Sequence, residues 1–278
     1  MENMHTYMNF VNIEKDNGKQ HLNDGISIII PTKNNISTIE ILLNSIKKIE
    51  MKELEIIVVD TNSNDGTKEI CKRYECKIIE SNFGRSKSRN MGAIAAKYDK
   101  LLFLDSDMEV TQGVLYSISN SNICDALIFK EETIGNSFMS KIRKFERDGI
   151  FGTIYPEAPR FIKKEIFFKI GGYNEEMEGF EDLDLHNRLI REGFRIDWCE
   201  SLIFHHEENM NFIMYLKKKK FYLLYFNEFR ESNQKYYQEL KSIRLRTKIL
   251  YKSIKSSKLS KSFVLFPMVI LLRLIEVI

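Results

Sequence analysis

The chain has 278 residues, 43% hydrophobic and 29% charged, enough for one large core with a smaller appendage and too few for three independent cores. Four cysteines, Cys71, Cys76, Cys124 and Cys199, match neither a CxxC pair nor a zinc-ligand spacing, which argues against a disulfide framework or structural zinc and for a reducing, intracellular setting. The net charge of +3 is unevenly placed: residues 207–278 hold 15 Lys+Arg against 6 Asp+Glu, and the preceding residues 27 against 33.

Residues 1–24 form a polar leader without the apolar core of a signal peptide, so export is not expected. Ile26 to Ile30 is a continuous apolar run, the pattern of a strand buried on both faces, and Pro31 is expected to end it. Ser37 with Glu40 reads as a capping box, followed by Ile39, Leu42, Leu43, Ile46 and Ile49 at helical spacing. A second buried strand, Leu54 to Val59, delivers Asp60 at its carboxyl end. The turn-rich TNSNDGT leads into a helix over Thr67 to Tyr74, a strand over Cys76 to Glu80, a helix over Ser86 to Lys97 and a strand over Leu101 to Leu104.

Such alternation predicts a parallel, doubly wound sheet, whose ligands bind beyond the carboxyl ends of its strands. Asp60 and the Asp105-Ser106-Asp107 cluster both fall at such ends. No GxGxxG follows the first strand and no P-loop is present, which argues against a dinucleotide site. Further on come a strand at Cys124 to Phe129, helices over Ser137 to Asp148 and Glu181 to Glu192, and short strands at Phe194 to Ile196 and Leu202 to Phe204.

Beyond Asn209 the pattern is one of long basic helices rich in Phe and Tyr. Phe263 to Ile278 is apolar but only 16 residues long, short of the ~20 that span a bilayer. With nine Lys+Arg between Lys235 and Lys261 it reads as an interfacial anchor on anionic lipid. A helical lid or a dimer contact fits the same residues equally well.

Four blocks carry a resemblance: SIIIPTKN (27–34) with EIIVVDTNSNDGT (55–67), SRNMGAIAAKYDKLLFLDSDM (88–108), RFIKKEIFFKIGGYNEEMEGFEDLDLHNRLIREGFRI (160–196) and IFHH (203–206). In this order they resemble glycosyltransferase family 2, inverting enzymes with the GT-A fold. The resemblance implies an α/β catalytic domain over 25–208, a doubly wound and mostly parallel sheet flanked by helices; the leader and the basic, partly apolar helical region over 209–278 lie outside it.

It also implies roles. Asp107 would bind a divalent metal ion, Mn2+ or Mg2+, and Asp105 the donor sugar or ribose. Asp60 would bond the base or ribose, with Pro31, Thr32 and Asn34 lining the base and Arg89 facing the uracil or phosphate. Asp182 matches the catalytic base, next to Glu181 on the substrate side, with Asp184 as second candidate and Arg188 orienting the site. His205 or His206 would complete the metal shell, the register being open by one. A hard cation held by oxygen ligands suits a leaving diphosphate. Taken alone, Asp105 and Asp107 also read as an acidic turn capping a helix near Thr111, and Asp182 as a complement to a helix dipole.

The implied partners are a nucleotide-sugar donor, expected to be a UDP-sugar, and a glycan or glycolipid acceptor in surface polysaccharide, lipopolysaccharide or glycoconjugate synthesis. The expected location is cytoplasmic, with peripheral contact to the anionic membrane; an oligomer is left open. A nucleic-acid partner would leave the acidic cluster unexplained. Two alternatives remain: a sugar nucleotidyltransferase, though PTKNN lacks the glycine-rich phosphate loop, and an inactive sugar-binding relative, though Asp60, Asp105, Asp107 and Asp182 are all present.

Overall fold

A computed structural model describes residues 25–121, 124–152, 157–234 and scattered positions between 237 and 255. The leader and the apolar segment Phe263 to Ile278 lie outside the described residues.

The elements run β1 (Ile26–Thr32), α1 (Ile36–Lys47), β2 (Leu54–Asp60), α2 (Thr67–Arg73), β3 (Lys77–Glu80), α3 (Arg85–Ala95), β4 (Lys100–Phe103), β5 (Met108–Val110), α4 (Gln112–Ser119) and β6 (Ala126–Ile134). They continue with α5 (Phe138–Ile150), β7 (Phe161–Lys163), α6 (Lys164–Lys169), α7 (Glu181–Arg191), β8 (Ile196–His206) and α8 (Phe212–Ser232). One eight-stranded sheet has the order β3-β2-β1-β4-β7-β6-β8-β5. β1 to β4 are mutually parallel, as are β6 and β8, while β7 and β5 run antiparallel to their neighbours.

Alternation along β1 places Ile28 and Ile30 in one core layer with Leu42, Ile46 and Val58, and Ile29 in the other with Val59, Ala93 and Phe103. This two-sided burial is why the strand is continuously apolar. Helix α3 lies so close to β1 that a Cβ on Gly92 would stand 2.4 Å from Ile29 Cγ2.

Pro31 does not end the first strand, which continues to Thr32 beside Asp60. The β1–β4 ladder stops at Ile29–Phe103, so one edge of β1 is free where proline lacks its N–H. The expected capping box is replaced by a contact from the next loop. Asp65 Oδ2 accepts from Ile36 N at 3.0 Å, and Thr67 Oγ1 accepts from Asn35 N at 2.9 Å. Ser37 and Glu40 fall inside the helix. The two short strands expected after Phe194 are one strand, β8, with a register shift opposite Phe129–Lys130.

Candidate functional site

The carboxyl ends of β1 and β2 carry two buried acceptors in register, Thr32 and Asp60. Asp60 Oδ1 accepts from Ser63 N at 2.9 Å. Asp60 Oδ2 and Thr32 Oγ1 have no hydrogen-bond partner among the described residues. A buried polar atom left unpaired is costly, so these two mark a place where an added hydrogen-bond donor would complete the bonding. Pro31 is half-buried beside them. Asn34 is exposed in the left-handed region, and its Oδ1 accepts from Asn64 N at 3.0 Å, which joins the two loops.

After β4, Asp105 is clamped: Arg89 Nη2 donates to Oδ1 at 2.6 Å and Arg160 Nη1 to Oδ2 at 3.3 Å. Burial raises the Asp105 pKa, but Arg160 and Arg89 outweigh it and hold the carboxyl well below its usual range. Arg89 was expected to face a base or phosphate. It is instead fully buried and also donates to Glu181 Oε1 at 3.0 Å, with its guanidinium 5.0 Å over the Tyr173 ring. Burial also pushes the Glu181 carboxyl up, as does the neighbouring charge of Asp182, against Arg85 and Arg89.

Asp107 keeps 39% of its side chain exposed. His205 Nδ1 lies 4.0 Å from Asp107 Oδ1, and its Nε2 lies 2.7 Å from Glu131 Oε2. The other oxygen of Glu131 accepts from Arg160 Nε at 2.7 Å. Burial raises the Glu131 pKa, but Arg160 and His205 outweigh it and hold the carboxyl well below the ordinary range. On the opposite face of β8, His206 meets Glu208 and Glu109, each at 2.9 Å. Burial disfavours the charged form of His206, but these two hydrogen bonds prevail and raise its pKa. The metal expectation therefore goes with His205, because both nitrogens of His206 are taken by carboxylates.

Among the described residues no group of three or more His, Cys, Asp or Glu side chains is placed to hold an ion. Asp107 and His205 offer one oxygen and one nitrogen donor. That fits a cation whose remaining positions are filled by phosphate oxygens and water, the usual arrangement of small divalent ions on nucleotides.

Helix α7 begins with three acidic residues, and the structure separates them. Glu181 is ion-paired with Arg85 at 3.1 Å and Arg89 at 3.0 Å. Asp184 is buried, accepting from Arg188 Nε at 2.8 Å and Asn233 Nδ2 at 3.3 Å. Arg188 thus serves Asp184 and the Ile170 carbonyl rather than Asp182. Asp182 retains 23% side-chain exposure; its buried Oδ1 accepts no hydrogen bond among the described residues and lies 3.9 Å from Arg89 Nη1.

The aim of this helix start is set from α8. Phe180, the residue before Glu181, has φ +66°, a strained value for a bulky side chain. It is held by a stack on Phe229 at 5.0 Å, an edge contact with Tyr222 and a tilted contact with Phe226.

Arg160 and Glu131 went unassigned in the sequence, although Arg160 opens the RFIKK block. Glu131 gave no usable signal, because KEE at a strand end reads as solvated charge. Only the pairing of β6 with β8, which sets Thr133 opposite His205, reveals it.

This α/β sheet, with its polar residues gathered at the carboxyl ends of the parallel strands, is of the GT-A type. Residues 27–120 match the family model described as glycosyl transferase family 2. Over these residues the chain is similar to that family. It is similar to an uncharacterized glycosyltransferase of Haemophilus influenzae, 30% identical over 183 residues, covering 60% of this chain and 62% of the relative. It is also similar to the GalNAc(5)-diNAcBac-PP-undecaprenol beta-1,3-glucosyltransferase of Campylobacter jejuni, 30% identical over 131 residues and 42% of each chain. The chain thus spans less than two thirds of the length of either relative.

Among solved structures, Staphylococcus aureus TarS 1–349 in complex with UDP-GlcNAc superposes with a TM-score of 0.54 at 23% identity, covering 67% of this chain and 60% of that one. The mannosyltransferase PcManGT of Pyrobaculum calidifontis, in complex with GDP-Man and Mn2+, gives 0.56 at 17% identity, covering 82% and 68%.

Proposed function

We propose that the protein is an inverting glycosyltransferase that moves a sugar from a UDP-sugar to a hydroxyl of a glycan or glycolipid acceptor. One observation carries the reading: the unpartnered buried oxygens of Thr32, Asp60 and Asp182 border the same end of the sheet as Asp107 and His205. The family match and the TarS complex with UDP-GlcNAc support it.

In this reading Thr32 and Asp60 accept hydrogen bonds from the nucleoside. Asp105, held ionised by two arginines, accepts from ribose or sugar hydroxyls. Asp107 and His205 would hold Mn2+ or Mg2+, which when bound stabilises charge on the diphosphate leaving group. Asp182 takes the proton of the acceptor hydroxyl as its oxygen bonds to the anomeric carbon. The bond from that carbon to the diphosphate breaks on the opposite side, so the configuration inverts.

Calorimetric titration of UDP, UDP-GlcNAc and GDP with Mn2+ tests the donor site. The expected result is binding of the uridine nucleotides that weakens at least ~10-fold, about 1.4 kcal/mol, in excess EDTA. Equal binding in EDTA overturns the cation, and no nucleotide binding overturns the donor site.

Membrane contact has its own support. Ile213, Leu216, Leu223 and Leu224 are exposed along one face of α8, interleaved with exposed Lys217 and Lys220. Among the described residues no helix is long and apolar enough to cross a bilayer. An apolar face studded with lysine suits the surface of anionic lipid. The full chain should sediment with phosphatidylglycerol vesicles and be released near 1 M salt, where the screening length falls to about 3 Å. Replacing Leu223 and Leu224 by Ser should reduce sedimentation; unchanged sedimentation, or equal binding to neutral vesicles, excludes this face as the contact.

A further inference from the structure

His205 reaches both neighbours with a definite polarity. Glu131 has two oxygens and two partners: Arg160 Nε donates to Oε1 at 2.7 Å, and His205 Nε2 sits 2.7 Å from Oε2. Arginine can only donate, and an ionised carboxylate can only accept. The proton of the neutral His205 ring is therefore on Nε2, which leaves the Nδ1 lone pair turned toward Asp107. The 4.0 Å from Nδ1 to Asp107 Oδ1 is too long for a hydrogen bond between them. It leaves both atoms available to a third party. Arg160 is itself fixed, buried and tied through Nη1 to Asp105 Oδ2.

We propose that Glu131 is a positioning residue: held by Arg160, it locks His205 in the Nε2–H tautomer, so that Nδ1 is presented beside Asp107 as a donor to a divalent cation. The proposal rests on the reading of Asp107 and His205 as cation ligands. A carboxylate behind a ligating imidazole fixes ring orientation and raises ligand basicity, and removing such a partner typically weakens metal binding about 10–100-fold. The same two-partner carboxylate gives Glu131→Gln a specific consequence. Arg160 claims the one amide oxygen, so the amide NH2 faces His205 Nε2. That nitrogen must then accept, the proton moves to Nδ1, and the ligand lone pair is lost from the side facing Asp107.

The test uses the full chain labelled with 15N-histidine, with the His205 signals assigned by their loss in His205→Gln. Long-range proton–nitrogen correlation at neutral pH should show Nε2–H at His205 in the wild type and Nδ1–H in Glu131→Gln. Manganese titration followed by electron paramagnetic resonance, with UDP present, should show binding weakened about 10–100-fold in both Glu131→Gln and His205→Ala. Unchanged Mn2+ affinity in His205→Ala overturns the ligand reading itself. Weakened affinity in His205→Ala with wild-type affinity in Glu131→Gln overturns the role of Glu131 alone. Should Glu131→Gln fail to fold, the wild-type spectrum still decides, because Nδ1–H at His205 contradicts the proposal.

Discussion

Asp182→Asn is expected to lower turnover by roughly 10²–10⁴-fold while leaving donor affinity within about threefold of the wild type. The three acids at the start of α7 are chemically alike, but only one is free to act. Glu181 is ion-paired with two arginines, and Asp184 is held by Arg188 and Asn233. Asp182 alone combines partial exposure with an oxygen that accepts no hydrogen bond among the described residues. Asparagine keeps the size and cannot take the proton. Asp184→Asn should instead cost stability, because Arg188 loses its charge partner, with little change in turnover per folded molecule. Transfer rates beside calorimetric donor affinities check both variants. Near-normal turnover in Asp182→Asn removes it as the base.

Arg89→Met should destabilise the fold by about 3–5 kcal/mol, because it removes a buried cation shared by three carboxylates and leaves Asp105 only Arg160 and Glu181 only Arg85. Asp105 and Glu181 lie 2.6 and 3.0 Å from its guanidinium, with Asp182 at 3.9 Å. The melting midpoint is expected to fall by roughly 10 °C, at about 2–4 °C per kcal/mol for a domain of this size. Adding Glu181→Gln to Arg89→Met should recover part of the loss, since it removes one of the charges that lost this partner. Additive losses in that double-mutant cycle, or a midpoint unchanged in Arg89→Met, would show that the arginine is not compensating these carboxylates.

The first half of the fold was legible because its strands are buried on both faces, and a run such as Ile26 to Ile30 admits little else. The boundaries of β2, α2 and α7 fall within about a residue of the pattern expected from periodicity. β5, β7 and α6 were missed, at 3, 3 and 6 residues each too short for a period to register. β7 also runs antiparallel within an otherwise parallel stretch, a choice made by its neighbours and not by its own residues.

The acidic residues of the site could be picked out from their order along the chain, because chain order already places Asp60 and Asp105 at the ends of buried strands. What each one does with its charge could not. That Arg89 is buried depends on α3 lying against β1 and α7 at once, and that His205 rather than His206 turns toward Asp107 depends on the pairing of β8 with β5 and β6. The tail reads in sequence as a basic appendage, yet Tyr215, Phe229 and Asn233 are buried and meet Glu146, Phe180 and Asp184. Sequence by itself determined the alternating strands and helices of the parallel half and the acids at its edge, since burial and turn chemistry are local. Tertiary structure decided which of those acids are neutralised and which left free, because that depends on partners distant in sequence, as Asp105 with Arg160 (55 apart) and Arg89 with Glu181 (92 apart) illustrate.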